Sequence, residues 1–153
     1  MLKKLSHRAA LAGFLVFGLS TSAFAVSPPS AGLGQAWPNT VDVSPSPNWH
    51  AYVFMLGGVK YVQINDINGN VLGAVGAANG QFITLPIGRF SQLVATPQEP
   101  AATPATAPAA ATATTVYQDS ATQITATPLS NGTVQLQALS TCTDPIECNN
   151  RVQ

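Results

Sequence analysis

Charged side chains are scarce in this chain, at 8% of its 153 residues, and no stretch of it is strongly basic after residue 8. From Val26 onward three basic side chains oppose six acidic ones, a formal net charge of −3. Binding to nucleic acid depends on lysines and arginines that neutralise phosphates. This composition therefore argues against a nucleic-acid partner, and the charge is also too sparse to steer any partner over long range.

Histidine, the usual general base, is almost missing as well. After residue 25 the only histidine is His50, so a histidine-dependent hydrolase would have to combine His50 with a carboxylate. No serine lies in a G-x-S-x-G context, and the carboxylates form no convincing acid–base pair. Residues 66–70 match only the first half of a calcium loop, and a turn accounts for the same residues. We therefore expect no catalytic residue, no metal and no cofactor, with a His50 hydrolase as the remaining enzymatic alternative.

Cysteine is limited to Cys142 and Cys148. In an exported chain, two thiols this close are expected to form a disulfide that staples the tail 142–153 locally. A redox pair or a metal site would need a C-x-x-C spacing or further ligands.

The first 25 residues have the pattern of a secretory signal peptide. Three basic residues precede an apolar run over 9–19, and Ala23-Phe24-Ala25 forms an A-x-A cleavage site. The apolar run is short for a membrane span, which makes an uncleaved anchor the weaker alternative. We expect export to the periplasm or the medium, with no membrane span after cleavage.

Three glycine-containing dipeptides divide the centre of the chain at even intervals of 11 residues. Gly57-Gly58, Asn68-Gly69 and Asn79-Gly80 suit two-residue hairpin turns, because these residues accept positive φ. They separate β-rich runs and predict a four-stranded antiparallel meander over about 49–88, within a unit spanning 49–95. Two-residue turns would fix the register of each pair of strands.

In this register both faces of the meander are largely apolar. One row is Phe54, Tyr61, Gly76 and Ile83, and the opposite face carries valines and alanines. A sheet with one face in water would alternate apolar and polar residues. The meander must therefore be covered on both faces, curl toward a barrel, or associate with another chain.

Two segments of unusual composition flank the meander. Residues 26–48, the leader, are rich in proline and predicted to be extended. In the segment 96–115, 18 of 20 residues are Ala, Thr or Pro, and we expect a disordered linker. We refer to it as the Ala/Thr/Pro segment; a glycosylated stalk is its functional alternative.

A second β-unit is predicted, with its strands over about 115–140. As a division of the chain, the unit is assigned to residues 116–141. A three-residue loop at Ser130–Gly132 gathers its apolar residues on one face. The predicted pairs are Ile124 with Ala138, Ala126 with Leu136, and Pro128 with Val134. This two- or three-stranded hairpin unit would pack on the meander, so the fold class is all-β, a single small sandwich or a partly open barrel.

Aromatic residues cluster near the first hairpin and form a candidate partner surface: Trp49, Tyr52, Phe54 and Tyr61. Packing in the core is the alternative use of the same residues. Together these features suggest a small exported β-protein without catalytic activity, which binds a protein or glycan in the envelope or medium, self-associates, or serves as a structural component. The main alternative is an enzyme inhibitor that presents the Ala/Thr/Pro segment or the Cys142–Cys148 loop.

Overall fold

The computed structural model describes residues 30–141. The predicted signal peptide and the predicted Cys142–Cys148 disulfide lie outside the described residues. Within them the regular secondary structure is almost entirely β, with a single turn of 3-10 helix at Ser91–Leu93. The strands are β1 (Trp49–Leu56), β2 (Val59–Asp66), β3 (Val71–Ala78), β4 (Gln81–Leu85), β5 (Val94–Ala95), β6 (Thr114–Gln118), β7 (Thr122–Pro128) and β8 (Val134–Ser140).

Strands β1 to β4 form the predicted antiparallel meander, in the order β1-β2-β3-β4. Two of its turns contain two residues, both with positive φ: 58° and 81° at Gly57 and Gly58, and 50° and 76° at Asn79 and Gly80. Such turns match the twist of the strands that they join. The predicted row Phe54, Tyr61, Gly76, Ile83 is confirmed across all four strands.

The connection between β2 and β3 is longer than the predicted two-residue turn. The Asp66 amide donates to the Asn70 carbonyl at 3.0 Å, so three residues form the loop, with Gly69 at φ 82°. The Asp66 carboxylate accepts the backbone amides of Asn68 and Asn70, both at 2.9 Å. A bulge then pairs Asn65 with Val71 and leaves Leu72 without a partner in β2, and the predicted register returns at Ile64 and Gly73.

The second sheet has the order β5-β8-β7-β6. Its β7–β8 hairpin has the predicted register, and the Leu129 amide donates to the Thr133 carbonyl at 2.8 Å. Gly132 has the left-handed conformation, with φ 80°, that the three-residue loop requires. The sequence did not indicate β5, a two-residue strand parallel to β8, and β6 begins at Thr114, inside the Ala/Thr/Pro segment.

The two sheets share one core, which confirms the predicted packing of the hairpin unit on the meander. Gly73 lies where the sheets approach closely: a Cβ there would be 2.8 Å from Leu136 Cδ1 and Val94 Cγ2. The buried cluster draws on both sheets and comprises Ala51, Val62, Ile64, Leu72, Val75, Phe82, Val94, Val116, Tyr117, Ile124, Ala126, Val134, Leu136 and Ala138.

The outer face of the meander is crossed by the leader, as the two apolar faces require. Gln63 and Asn65 lie on this face with 0% exposure. Gln63 accepts the Gly34 amide at 2.6 Å and donates to the Gln35 carbonyl at 2.8 Å, while Asn65 donates to the Ala36 carbonyl at 2.6 Å. Two buried carboxamides thus bind three consecutive leader residues through their backbone.

The Ala/Thr/Pro segment has no helix or strand through residue 113, apart from an isolated bridge at Ala109, but it follows a defined path. The Thr103 amide donates to the Gln92 carbonyl at 2.9 Å, and the Ala110 amide donates to the Pro128 carbonyl at 2.8 Å. Composition alone did not indicate this course, because it depends on backbone partners contributed by other elements. Residues 30–141 contain no helix with the length and apolar character needed to cross a membrane.

The beginning of the same segment occupies the free edge of β4. The Gln98 carboxamide accepts the Phe82 amide at 3.2 Å and donates to the Gly80 carbonyl at 3.3 Å. Its oxygen and nitrogen take the places of a carbonyl and an amide of a neighbouring strand. One donor and one acceptor of this edge are therefore satisfied by a side chain rather than by backbone.

Candidate binding site

The leader brings a carboxylate and an indole to His50, the candidate catalytic base. Asp42 Oδ2 lies 2.7 Å from His50 Nδ1. The Trp37 ring meets the imidazole edge-on at 5.3 Å between centroids, and the Tyr52 ring lies parallel to it at 6.1 Å. A histidine oriented by a carboxylate is also found in hydrolase triads, so the remaining partners of this pair decide what it does.

The partners of Asp42 give the pair a structural role. Its Oδ1 accepts the backbone amides of Ser44 at 3.0 Å and Ala51 at 2.9 Å, which holds the leader against the edge of β1. Burial alone would raise the pKa of Asp42, but the hydrogen bonds from His50, Ser44 and Ala51 outweigh it and lower the pKa. The nearby Ser44 hydroxyl donates to the Ser46 carbonyl at 3.1 Å. It is therefore engaged in a hydrogen bond of its own turn.

A second polar cluster joins the two sheets at Lys60. The Lys60 ammonium forms an ion pair with Asp119 and donates to Thr122 Oγ1 at 3.0 Å, and the Tyr117 hydroxyl donates to Asp119 at 2.6 Å. Burial would raise the pKa of Asp119, but these hydrogen bonds and two from backbone amides lower it to about 2. Burial and the neighbouring Asp119 raise the pKa of Tyr117. The cluster thus contains a compensated charge pair and a neutral phenol.

A cavity of about 260 Å³ adjoins this cluster. Its wall is mainly apolar and includes Met55 and Phe82, with Lys60, Asn79 and Thr122 as the polar members. Because Asp119 already neutralises Lys60, this cavity offers no uncompensated charge to a ligand. Among residues 30–141 no three His, Cys, Asp or Glu side chains come together in a way that could hold a metal ion.

A cavity of about 230 Å³, the Arg89 cavity, lies between the Ala/Thr/Pro segment and the second sheet. Its residues combine a cation, hydroxyls, a carboxamide and an apolar floor: Arg89, Thr103, Thr106, Asn131, Phe90 and Leu129. This mixture of a few polar groups on an apolar base is typical of small-molecule sites. Six of its lining residues are polar or charged, compared with three in the cavity beside Lys60.

Known families, curated proteins and solved structures give no match to this chain. The function must therefore be argued from the site itself rather than from a relative.

The predicted aromatic surface lies mostly inside the protein. Tyr52 and Phe54 are 5% and 1% exposed on the face that the leader crosses. Trp49 packs against the core, and Tyr61 is half-buried over Gly76, where a Cβ would lie 3.2 Å from the tyrosine ring. These residues thus contribute to packing, which the sequence analysis gave as the alternative to a partner surface. The most exposed aromatic ring of the described chain is instead Trp37, at 60%.

The residues of the Arg89 cavity were not identified from the sequence. They come from three separate segments, 89–93, 103–106 and 129–133. None of them belongs to a motif, and their proximity depends on the path of the Ala/Thr/Pro segment. The one usable signal was the scarcity of cations, which makes each arginine of this chain conspicuous.

Proposed function

We propose that the protein is a small exported binding protein without catalytic activity. The observation that supports this most strongly is how its polar groups are distributed. The groups able to perform acid–base chemistry are engaged in hydrogen bonds that hold the fold together, while an open cavity keeps polar groups at its rim.

The catalytic alternative would depend on His50. Its ring is hydrogen-bonded to Asp42, which also accepts two backbone amides. The pair therefore holds the leader against β1. The Lys60–Asp119 pair is likewise tied to Tyr117 and Thr122 between the sheets. Removal of His50 should therefore weaken the attachment of the leader without abolishing a reaction.

The place of action follows from the N-terminal sequence pattern, which indicates export to the periplasm or the medium. A partner would then be a protein or a glycan of the envelope or medium, or a second copy of the chain. The weak overall charge favours recognition through short-range contacts, since long-range steering needs a larger field.

The proposal is tested with the purified exported chain and its His50→Ala variant. We expect neither to hydrolyse a panel of ester, peptide and glycoside substrates. We also expect the native chain, but not the heat-unfolded chain, to retain a component of the native envelope or medium saturably. Hydrolysis that disappears in His50→Ala would contradict the proposal, as would the absence of any retained component together with a chain that elutes as a monomer.

A further inference from the structure

Arg89 makes no direct contact with a carboxylate within residues 30–141, although its charge contributes to the lowered pKa of Asp66. Within residues 30–141 the direct contacts between basic and acidic side chains are His50–Asp42 and Lys60–Asp119, and neither includes Arg89. Its side chain is exposed at the mouth of the Arg89 cavity. In a chain with so few charges, an arginine left available beside a cavity is a ready partner for an anion.

The backbone that carries Arg89 is firmly held. The Arg89 amide donates to the Val71 carbonyl at 2.9 Å, and the Phe90 amide donates to the Leu72 carbonyl at 2.8 Å. Gly88, at φ +99°, approaches β3 so closely that a Cβ would lie 2.5 Å from the Leu72 carbonyl group. The arginine is therefore presented from a rigid base, which lowers the ordering cost of binding.

Other lining residues of the cavity supply uncharged hydrogen-bonding groups. Asn131 Oδ1 accepts the amide of Thr133 at 3.1 Å and its hydroxyl at 2.7 Å, and this turn does not use the Asn131 amide nitrogen. Thr103 and Thr106 lie on the Ala/Thr/Pro segment, and Thr103 is fixed through its backbone bond to Gln92. The apolar lining includes Phe90, whose ring centroid lies 5.7 Å from the Arg89 guanidinium carbon, and Leu129, which is 5% exposed.

We infer that the Arg89 cavity binds a small hydroxylated molecule bearing a carboxylate, that is, a sugar acid or the acidic unit of a saccharide. The guanidinium would pair with the carboxylate, and the threonine and asparagine groups would bind ring hydroxyls. The apolar C–H face of the sugar would lie on the floor. This inference rests on the proposed binding function and specifies its ligand.

The size of the cavity limits the ligand to about one ring. Sites for drug-sized molecules usually enclose about 300 to 1,000 Å³, and the Arg89 cavity provides about 230 Å³. The cavity beside Lys60 is of similar size, but its cation is neutralised by Asp119 and its wall is mainly apolar. The same ligand should therefore not bind there, which provides an internal control within one protein.

The test is a titration of the ¹⁵N-labelled exported chain with D-glucuronate, followed by its amide resonances. We expect saturable shifts at Phe90, Thr103 and Asn131, with no comparable change at Lys60. D-glucose, which keeps the hydroxyls, and acetate, which keeps the charge, should each bind about tenfold more weakly or worse. Affinity should fall with added salt, because Arg89 is exposed.

Variants separate the contributions of charge and hydroxyls. Arg89→Gln should weaken glucuronate binding about tenfold or more, and Arg89→Lys should restore only part of it, because lysine cannot form the bidentate pair. Thr106→Val, at the rim, should weaken binding a few-fold. Thr112→Val makes the same change in the same segment outside the cavity and should leave affinity unchanged.

Three outcomes would overturn the inference. They are the absence of saturable shifts with glucuronate, equal affinity for glucose, and an Arg89→Gln affinity equal to that of the parent chain when its spectrum is otherwise folded. If glucuronate fails while the chain still retains a component of the envelope or medium, this ligand assignment falls and the binding function stands.

Discussion

Gln63→Glu is the sharpest test of how the leader is held on the meander. The two side chains have nearly the same shape, so packing is unchanged and only one NH₂ group is replaced by an oxygen. That NH₂ group donates to the Gln35 carbonyl at 2.8 Å and to Asn65 Oδ1 at 2.9 Å. After substitution, three oxygens would face one another in a place with 0% exposure.

The expected effect at neutral pH is large for a conservative change. Each lost hydrogen bond contributes about 1 kcal/mol net, and a buried carboxylate without a cation costs about 3–5 kcal/mol. The chain can avoid most of this cost by releasing the leader, which exposes residue 63 to water. We therefore expect local opening of the leader to become easier by about 3 kcal/mol, a factor of about 100.

Hydrogen exchange measures this opening directly. The amides of Gly34 and Val43 bind Gln63 and the Ala51 carbonyl, respectively, and both should lose about 100-fold protection at pH 7. Amides between β7 and β8 should keep their protection, because the sandwich core is not touched. Gln137→Glu makes the same chemical change at an exposed position of β8 and should alter stability by less than about 0.5 kcal/mol.

The pH dependence has a fixed sign. Burial raises the pKa of the new carboxyl in the folded state, so the folded state binds the proton more tightly than the unfolded state. The free energy of leader opening should fall furthest below the parent value at neutral pH. This difference should shrink toward pH 4, where a protonated carboxyl can donate one hydrogen bond. Unchanged protection at Gly34 and Val43, or a deficit independent of pH, would refute the role assigned to the Gln63 carboxamide.

Two further changes address the interface between the sheets. Asp119→Asn should cost about 1 kcal/mol at pH 7, because a partly exposed ion pair is screened; the lowered pKa of Asp119, about 2, means that the parent loses this contribution as the pH falls from about 4 to about 2. Denaturant unfolding should therefore show the two proteins converging at pH 2, and a constant difference would contradict the assignment. Gly73→Ala should destabilise by about 1–3 kcal/mol through overpacking, since its Cβ would lie 2.8 Å from Val94 and Leu136. Val94→Ala added to it should recover part of the loss, and strict additivity in a thermal-unfolding double-mutant cycle would show that the contact is unimportant.

The meander was predictable because its information is local. Gly57-Gly58 and Asn79-Gly80 fix both turn geometry and register, and the Ser130–Gly132 loop was chosen because only that register gathers Ile124 and Leu136 on one face. The β2–β3 loop differed because Asp66, two residues before the predicted Asn68-Gly69 turn, binds the amides that close a longer loop. A side chain that competes for turn amides is visible in sequence, but its success depends on the bulge that follows.

The candidate site was not predictable, for a physical reason. Arg89, Thr103 and Asn131 come together only because the Ala/Thr/Pro segment is tied down by backbone hydrogen bonds to Gln92 and Pro128. Backbone partners leave no trace in residue type, so composition indicated only a segment without regular structure. The aromatic residues near the first hairpin were visible in sequence, but their burial depends on how the leader crosses the sheet.

The Gln98 carboxamide on the rim of β4 has a consequence for assembly. A strand from another molecule that added to the meander at β4 would find the Phe82 amide and the Gly80 carbonyl already hydrogen-bonded. It would first have to displace the Gln98 side chain. Because Gln98 belongs to the same chain, its side chain is always present at high local concentration. This contact therefore hinders fibril-like growth at the edge of β4, and it depends on one side chain near the start of the Ala/Thr/Pro segment.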